Sequence, residues 1–274
     1  MLNPALRKII RAAVKHFREN GYTSADELLS WQMRIREVAE RITEQELVRR
    51  VSDRLERAYT IDVDREKMLK RHAGISRFQL DNVRPRLRAE LDRRIMASAD
   101  LIKLNRHKAI ETTLSRFSGW ATSIPDKALI SGEGAQMDMF KTIDHIAKSA
   151  EQIRYEANRV MIDQNHKLLA NIDNIVATDN GAIAAVWHSH WRQPGYDYRD
   201  AHKKLDGNMY AIKGNWAIQK GLMKKGDHGY LDDIEMPGQA VFCRCFVTYI
   251  YNLRSLEPDM LTRKGKNFLE GKNK

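Results

Sequence analysis

The residues best suited to chemistry lie in the last third of the chain, where cysteine and histidine side chains gather. Cys243 and Cys245 are the two cysteines of the sequence, and His202 precedes them. Thiolate sulfur and imidazole nitrogen are ligands that zinc prefers in proteins, so a zinc site at these three residues is one interpretation. The same region offers further imidazoles at His188, His190 and His228.

The spacing of the two cysteines argues against that zinc site. Zinc knuckles usually place two residues between their cysteines, whereas only Arg244 separates this pair, which strains a tetrahedral chelate. A disulfide between them would close a very small, strained ring and is favoured even less. We therefore expect no bound cofactor, with zinc as the alternative, and a chain kept in a reducing compartment.

A structural role is the favoured interpretation of the polar residues around His202. Asp197 and Arg199 share one side of an extended segment, and Arg199 and His202 share one face of a helix that begins there. A bidentate arginine–carboxylate pair with a hydrogen-bonded histidine would stabilise a small module with little core. Asp206-Gly207 predicts a tight turn into the next strand.

Catalysis is the competing interpretation of the same residues. Asp, Arg, His and Cys together could form a metal-dependent nuclease or another DNA-processing enzyme, with a cysteine nucleophile beside His202. The sequence contains no Walker motif, nucleophile elbow or glycine-rich phosphate loop. The acidic residues Asp232, Asp233 and Glu235 have no partners at a fixed spacing. We therefore expect a protein that is not an enzyme.

These residues belong to an ordered pattern between positions 187 and 245. It runs W-x-S, then D-x-R-x-x-H-x-x-L-x-G, then P-G-x4-C-R-C. Its positions are Trp187, Asp197, Arg199, His202, Leu205, Gly207, Pro237, Cys243, Arg244 and Cys245.

The pattern resembles the phage Mu F-like head morphogenesis family, the minor head proteins of tailed bacteriophages. The resemblance implies a structural protein of the virion that assembles in the host cytoplasm and lies inside the phage head. Its implied partners are the portal protein, packaged double-stranded DNA and also the major capsid or scaffolding protein. Its implied work is procapsid assembly and DNA packaging or ejection. The family also has an arginine before an upstream acid–amide pair; Asp163-Gln164 match the pair, but Ile162 replaces the arginine.

Helices are predicted to position this module. Residues 1–170 show apolar residues at helical spacing, and Ser24 with Glu27, Thr43 with Glu46 and Ser76 with Gln79 form capping boxes. Asn3-Pro4 opens the first helix, and Pro85 is expected to interrupt or restart a later one.

After Gly181 the pattern changes to short predicted strands at 182–187, 208–211 and 241–251, rich in aromatic residues. We predict an α+β fold, with an extended, mostly helical N-terminal body followed by a small mixed α/β module. The predicted segments are a helical body (1–118), a linker with helices (119–180), the head-protein module (181–255) and a basic flexible tail (256–274).

The charge balance predicts an acidic partner. Lys and Arg number 47 against 36 Asp and Glu, a net charge of +11, and the excess lies on either side of a neutral segment, 101–180. A dense arginine run suggests contact with DNA phosphates or with the portal: Arg84, Arg86, Arg88, Arg93 and Arg94. No base-reading motif is present, so DNA contact would be sequence-unspecific. No apolar run approaches the length of a membrane span, and Met1–Val14 does not resemble a secretory signal.

Overall fold

The computed structural model describes residues 4–41, 44–124 and 139–271. Within these ranges the chain forms ten α-helices, one three-stranded sheet and three short 3₁₀ helices, which confirms the predicted α+β fold. The helices are α1 (Pro4–Asn20), α2 (Ala25–Glu40), α3 (Glu44–Asp62), α4 (Arg65–Arg71), α5 (Arg77–Ala121), α6 (Met139–Glu151), α7 (Ile153–Asp179), α8 (Asp200–Lys204), α9 (Trp216–Gln219) and α10 (Arg263–Leu269). The strands are β1 (Ala184–His188), β2 (Met209–Ala211) and β3 (Phe246–Ile250).

The chain divides into two compact units. The first combines residues 1–51 with 97–160, and the second combines 52–96 with 161–274. These units cut the chain differently from the four predicted segments because α3, α5 and α7 each contribute residues to both. Most of the predicted linker after Ser118 lies outside the described residues, and α5 itself continues to Ala121.

The first unit is a helical bundle with a continuous apolar core. Apolar residues at helical spacing bury one face of α1, with Ile10, Val14 and Phe17 fully enclosed. The ring of Phe17 meets that of Phe117 edge-on, with centroids 5.8 Å apart. Ile143 and Ile146 of α6 complete the core, so helix packing accounts for this unit.

The second unit contains an antiparallel sheet in the order β2-β1-β3. Ala185 pairs with Tyr210 on one side and with Tyr249 on the other. Because successive side chains of a strand point to opposite faces, Ala185 and Trp187 pack into one apolar cluster and Ala184 into another. Each face of this small sheet therefore packs against an apolar cluster, while Phe246 and Thr248 of β3 stay exposed.

Each strand overlaps the segment predicted to contain it and is shorter than that segment, and β1 extends one residue beyond its predicted end, to His188. Residues 241–245 form a loop, because Phe242 adopts a left-handed backbone (φ 60°) that a strand does not accommodate. Pairing with β1 begins only at Phe246. This loop carries both cysteines.

Two expectations about helices and the tail need correction. Pro85 lies inside α5, which continues through it, because Leu80, Val83, Leu87 and Leu91 around it are all buried and packing offsets the lost backbone bond. The predicted tail 256–274 is folded over its described part: a 3₁₀ helix spans Pro258–Met260, and α10 packs Gly265 against the carbonyl of Leu222.

The cap predictions have three different outcomes. Ser76 and Gln79 form a complete capping box, with each backbone N–H donating to the other residue's side chain. Ser24 accepts from the Glu27 N–H, but the Glu27 carboxylate accepts from Thr23 instead of returning to Ser24. Asn3, Thr43 and therefore their predicted caps lie outside the described residues. None of the helices in the described ranges combines the length and apolar character needed to cross a lipid bilayer.

Candidate functional site

The structure brings His202, Cys243 and Cys245 together in the second unit. The Nδ1 atom of His202 lies 3.5 Å from the Sγ atom of each cysteine. The three potential ligand atoms all lie within 4.8 Å of one another, and the three residues are at most 6% exposed. This buried cluster, called the His–Cys–Cys cluster below, is the group of described residues best able to hold a metal ion.

The loop before β3 aims both thiols at the histidine. Both sulfurs lie 3.5 Å from the same nitrogen, so the C-x-C spacing does not prevent the two thiols from facing one histidine. The Asp163 carboxylate of α7 accepts a hydrogen bond from the Phe242 N–H at 2.8 Å. The hydroxyl of Tyr196 also holds this loop: it donates to the Phe242 carbonyl and accepts from the Arg244 N–H, both at 3.2 Å.

The orientation of the His202 ring is fixed by two contacts on its other sides. The ring meets Trp187 edge-on, with centroids 5.7 Å apart. Its Nε2 atom lies 3.3 Å from the Glu235 carboxylate. An Nε2–H donated to Glu235 leaves Nδ1 as the unprotonated nitrogen, which faces the two sulfurs.

The pKa values of the two thiols are shifted in opposite directions. Hydrogen bonding from Cys245, and next from the backbone N–H groups of Gly238 and Cys245, lowers the pKa of Cys243 to about 5, although burial opposes this. The same hydrogen bond, together with burial, raises the pKa of Cys245 well above its usual value. The buried hydroxyl of Ser189 has no hydrogen-bond partner among the described residues, and its nearness lowers the pKa of Cys245. The cluster therefore stabilises at least one thiolate.

A tight turn joins β1 to the rest of the motif. Gly207 has φ 80°, and its N–H donates to the Trp187 carbonyl at 2.8 Å. The Asp206 carboxylate accepts from the Ser189 N–H at 2.7 Å and from the Trp191 indole N–H at 2.8 Å. Both hydrogen bonds lower the pKa of Asp206, and the one from Ser189 has the larger effect. The Asp-Gly turn is as predicted, whereas no sequence pattern indicated that Ser189 and Trp191 would donate to Asp206.

The predicted pair of Asp197 with Arg199 is not formed between these described residues. The Arg199 guanidinium donates instead to the Val241 carbonyl at 2.9 Å, because the loop before β3 presents that acceptor to it. Asp197 and Arg199 line an open depression of about 370 Å³ together with Tyr196 and Arg244. Arg199 therefore supports the cysteine loop rather than a neighbouring carboxylate.

A cleft of about 220 Å³ lies on the other side of the cysteine loop, also within the second unit. Cys245, Arg244 and Pro237 line it, together with His166 and His190. Burial, and next the charge of Arg244, lowers the pKa of His166. Leu205 packs at the edge of the apolar cluster around Trp187.

A buried polar network, which sequence reasoning missed, supports the loop from behind. Glu90 of α5 is 7% exposed and accepts from Arg93, Arg94 and Asn171 at 2.7–2.9 Å. Arg94 also donates to Gln164, the neighbour of Asp163. The predicted pair Asp163-Gln164 thus joins α5 and α7 to the cysteine loop, whereas Ile162 is 43% exposed.

The five arginines predicted to contact phosphate all have acidic neighbours. Arg84 lies near Asp81, Arg86 near Asp179 and Arg88 near Glu56, and the side chains of these three arginines are more than half exposed. Arg93 and Arg94 both pair with Glu90. Only 14% of the Arg94 side chain is exposed, so it belongs to the buried network rather than to a binding surface.

The imidazoles of the module's remaining histidines make other contacts. His188 stacks on Phe246 and lies 3.0 Å from the Thr248 hydroxyl. His190 also contacts the Phe246 ring, and His228 lies against Tyr210. His202 is thus the one histidine in the described residues that forms a three-ligand group with the cysteines.

Comparisons of the chain with protein-family models, with curated proteins and with solved structures give no match. The function proposed below therefore draws on the sequence pattern and on the geometry of the second unit.

Proposed function

We propose that this chain is a minor head protein of a tailed bacteriophage, bound to the portal inside the head. It assists procapsid assembly and the packaging or ejection of DNA. The observation that supports the proposal is the convergence of the sequence pattern on one buried place. Trp187, His202 and the Cys243–Cys245 pair come from three separate parts of the sequence, yet they form a single packed group.

The burial of this group favours a structural role over catalysis. A catalytic side chain must reach its substrate, whereas Trp187 and Cys243 are at most 1% exposed and His202 is 5% exposed. In this interpretation the residues of the sequence pattern form the packed interior of a rigid module. The module's outer surface and the helical residues before it then remain free to bind partners.

Co-purification with the portal protein tests the portal contact. The full chain is co-expressed with the tagged portal protein encoded by the same phage genome, and the affinity-purified portal is separated by size-exclusion chromatography. We expect the chain to elute with the portal oligomer, and not with a portal protein from an unrelated phage. Elution of the chain only as a separate species would contradict the proposal.

A plasmid-nicking assay tests the competing enzymatic function. Supercoiled plasmid is incubated with the purified chain and Mg²⁺, Mn²⁺ or Zn²⁺. We expect no conversion to the nicked form above the level of a mock purification. Nicking that disappears in a His202→Gln variant would replace the structural proposal with a nuclease.

The second part of the proposal is that the chain binds DNA. The exposed arginines of α5 would contact the DNA phosphates. Each arginine that replaces its acidic neighbour with a phosphate releases about one counterion from the DNA, so the salt dependence of binding counts the contacts. Neutralising three contacts should reduce the slope of log K against log salt by roughly 2–3. The three residues to change to Gln are Arg84, Arg86 and Arg88.

Filter binding across a salt series measures that slope. A matched control neutralises three exposed basic residues of α1, namely Lys8, Arg11 and Lys15. Both variants lower the net charge by three, so the comparison separates a local contact from a general charge effect. Equal slopes for the two variants would refute the α5 contact.

A further inference from the structure

We propose that the His–Cys–Cys cluster binds one Zn²⁺ ion through His202 Nδ1, Cys243 Sγ and Cys245 Sγ. The site would fix the loop before β3 to α8 within the second unit. The inference does not rest on the function proposed above, since it follows from the geometry of three side chains.

The distances within the cluster match a tetrahedral zinc centre. With Zn–S bonds of about 2.3 Å and a Zn–N bond of about 2.05 Å, a tetrahedral angle places the nitrogen about 3.6 Å from each sulfur. Both observed distances from Nδ1 to sulfur are 3.5 Å. The imidazole nitrogen therefore already has the spacing from each sulfur that zinc requires, and all three ligand atoms lie within 4.8 Å of one another.

The surroundings of His202 match those of a metal-ligating histidine. Such a histidine usually donates its second ring N–H to a carboxylate, which fixes the ring and increases its basicity. Glu235 lies in that position, 3.3 Å from Nε2. The buried Ser189 hydroxyl, which has no hydrogen-bond partner among the described residues, lies close enough to Cys245 to lower the pKa of its thiol.

The charges in the cluster favour a soft divalent cation. Two thiolates and a neutral imidazole with Zn²⁺ give a net charge of zero, which lowers the cost of burying the ions. Binding removes the remaining thiol protons, which pass to solvent as the Zn–S bonds form. Thiolate and imidazole select zinc over Mg²⁺ or Ca²⁺, which prefer oxygen. The described residues supply three ligands, and a water molecule completes the tetrahedron.

Metal analysis of the full-length chain is the first test. The protein is expressed in zinc-supplemented medium and purified without chelator, and its zinc is measured by mass spectrometry of the metal. We expect about one zinc per chain, falling to background in His202→Gln and in Cys243→Ser. The matched control His228→Gln removes a histidine of the same unit that lies outside the cluster and should keep its zinc.

Cobalt substitution tests the ligands directly. We expect the Co²⁺-loaded chain to show near-ultraviolet thiolate-to-cobalt charge transfer and the intense visible bands of a tetrahedral centre. A cobalt spectrum without charge transfer would overturn the site, as would zinc retained after both cysteines are changed to serine. Wild-type protein that holds neither metal would overturn it as well.

A variant that keeps all three ligands separates loss of metal binding from loss of metal through misfolding. The Glu235 side chain is 48% exposed, so Glu235→Gln should fold normally. Loss of an outer-shell carboxylate typically lowers metal affinity about 10–100-fold. The control Asp227→Asn changes an exposed acid of the same unit and should leave the affinity unchanged. Equal zinc affinity in both variants, measured by chelator competition, would contradict ligation by His202.

Discussion

Asp163 is predicted to hold the cysteine loop in place, and its removal should destabilise the second unit. In Asp163→Ala the Phe242 N–H loses its acceptor at a residue with a left-handed backbone. An unsatisfied donor of this kind costs about 1–3 kcal/mol. The Lys167 ammonium, whose side chain is 17% exposed, also loses its partner at 2.9 Å. We expect a total loss of about 2–4 kcal/mol.

Differential scanning calorimetry measures this loss, with Asp163→Asn as the matched control. For a unit of about 160 residues, 1 kcal/mol shifts Tm by about 2–4 °C, so Asp163→Ala should lower Tm by about 5–15 °C. Asparagine keeps an acceptor for Phe242 but loses the charge facing Lys167, so its effect should be no more than about half as large. Equal shifts in the two variants, or a shift below about 2 °C for alanine, would refute the proposed anchor.

Two further predictions concern the buried network and the packing of α10. Burial raises the pKa of Glu90, but hydrogen bonds from Arg93, Asn171 and Arg94 outweigh it and hold the pKa below its usual value. Glu90→Gln should therefore cost about 3–5 kcal/mol at pH 7, against less than about 1 kcal/mol for the exposed control Glu56→Gln. Because the Glu90 pKa is lowered, its stabilisation is complete above the ordinary glutamate pKa of about 4.3 and is lost as pH falls through the folded value. Calorimetry from pH 7 to pH 3 should show the gap between wild type and Glu90→Gln closing in that acid range, and a constant gap would contradict the assignment. Gly265→Ala would place Cβ 2.0 Å from the Leu222 carbonyl oxygen and should destabilise the protein by about 1–3 kcal/mol, whereas Gly119→Ala, in an open helical position, should stabilise it by up to about 1 kcal/mol. Urea titration followed by circular dichroism compares the two, and shifts of the same sign would be inconsistent with the packing described.

Local sequence signals predicted which helices and strands form better than they predicted where these elements begin and end. Ser76 and Gln79 cap α5 as predicted, because a capping box depends only on residues three apart. Pro85 did not end that helix, because buried side chains on neighbouring turns offset its local penalty. The strand expected from residue 241 begins at Phe246, because the left-handed Phe242 depends on Asp163, which is distant in sequence.

The candidate site was predictable in its residue types but not in its assembly. The sequence identified His202, Cys243 and Cys245 as zinc-ligand types, yet a structural, a catalytic or a disulfide role for the same residues could also be read from their spacing. Only the tertiary fold places His202 beside the sulfurs and Glu235 behind it. Glu90 and Asn171 meet through the packing of α5 and α7, which spacing within one helix does not specify.

The composition of purified particles tests the central proposal most directly. Under this proposal the gene belongs to a phage genome, and heads of that phage are purified by density gradient, treated with protease to remove external protein, and analysed by quantitative mass spectrometry. We expect the chain inside full particles at a low copy number comparable with that of the portal protein. Its absence from full heads and from procapsids alike would contradict a role as a minor head protein.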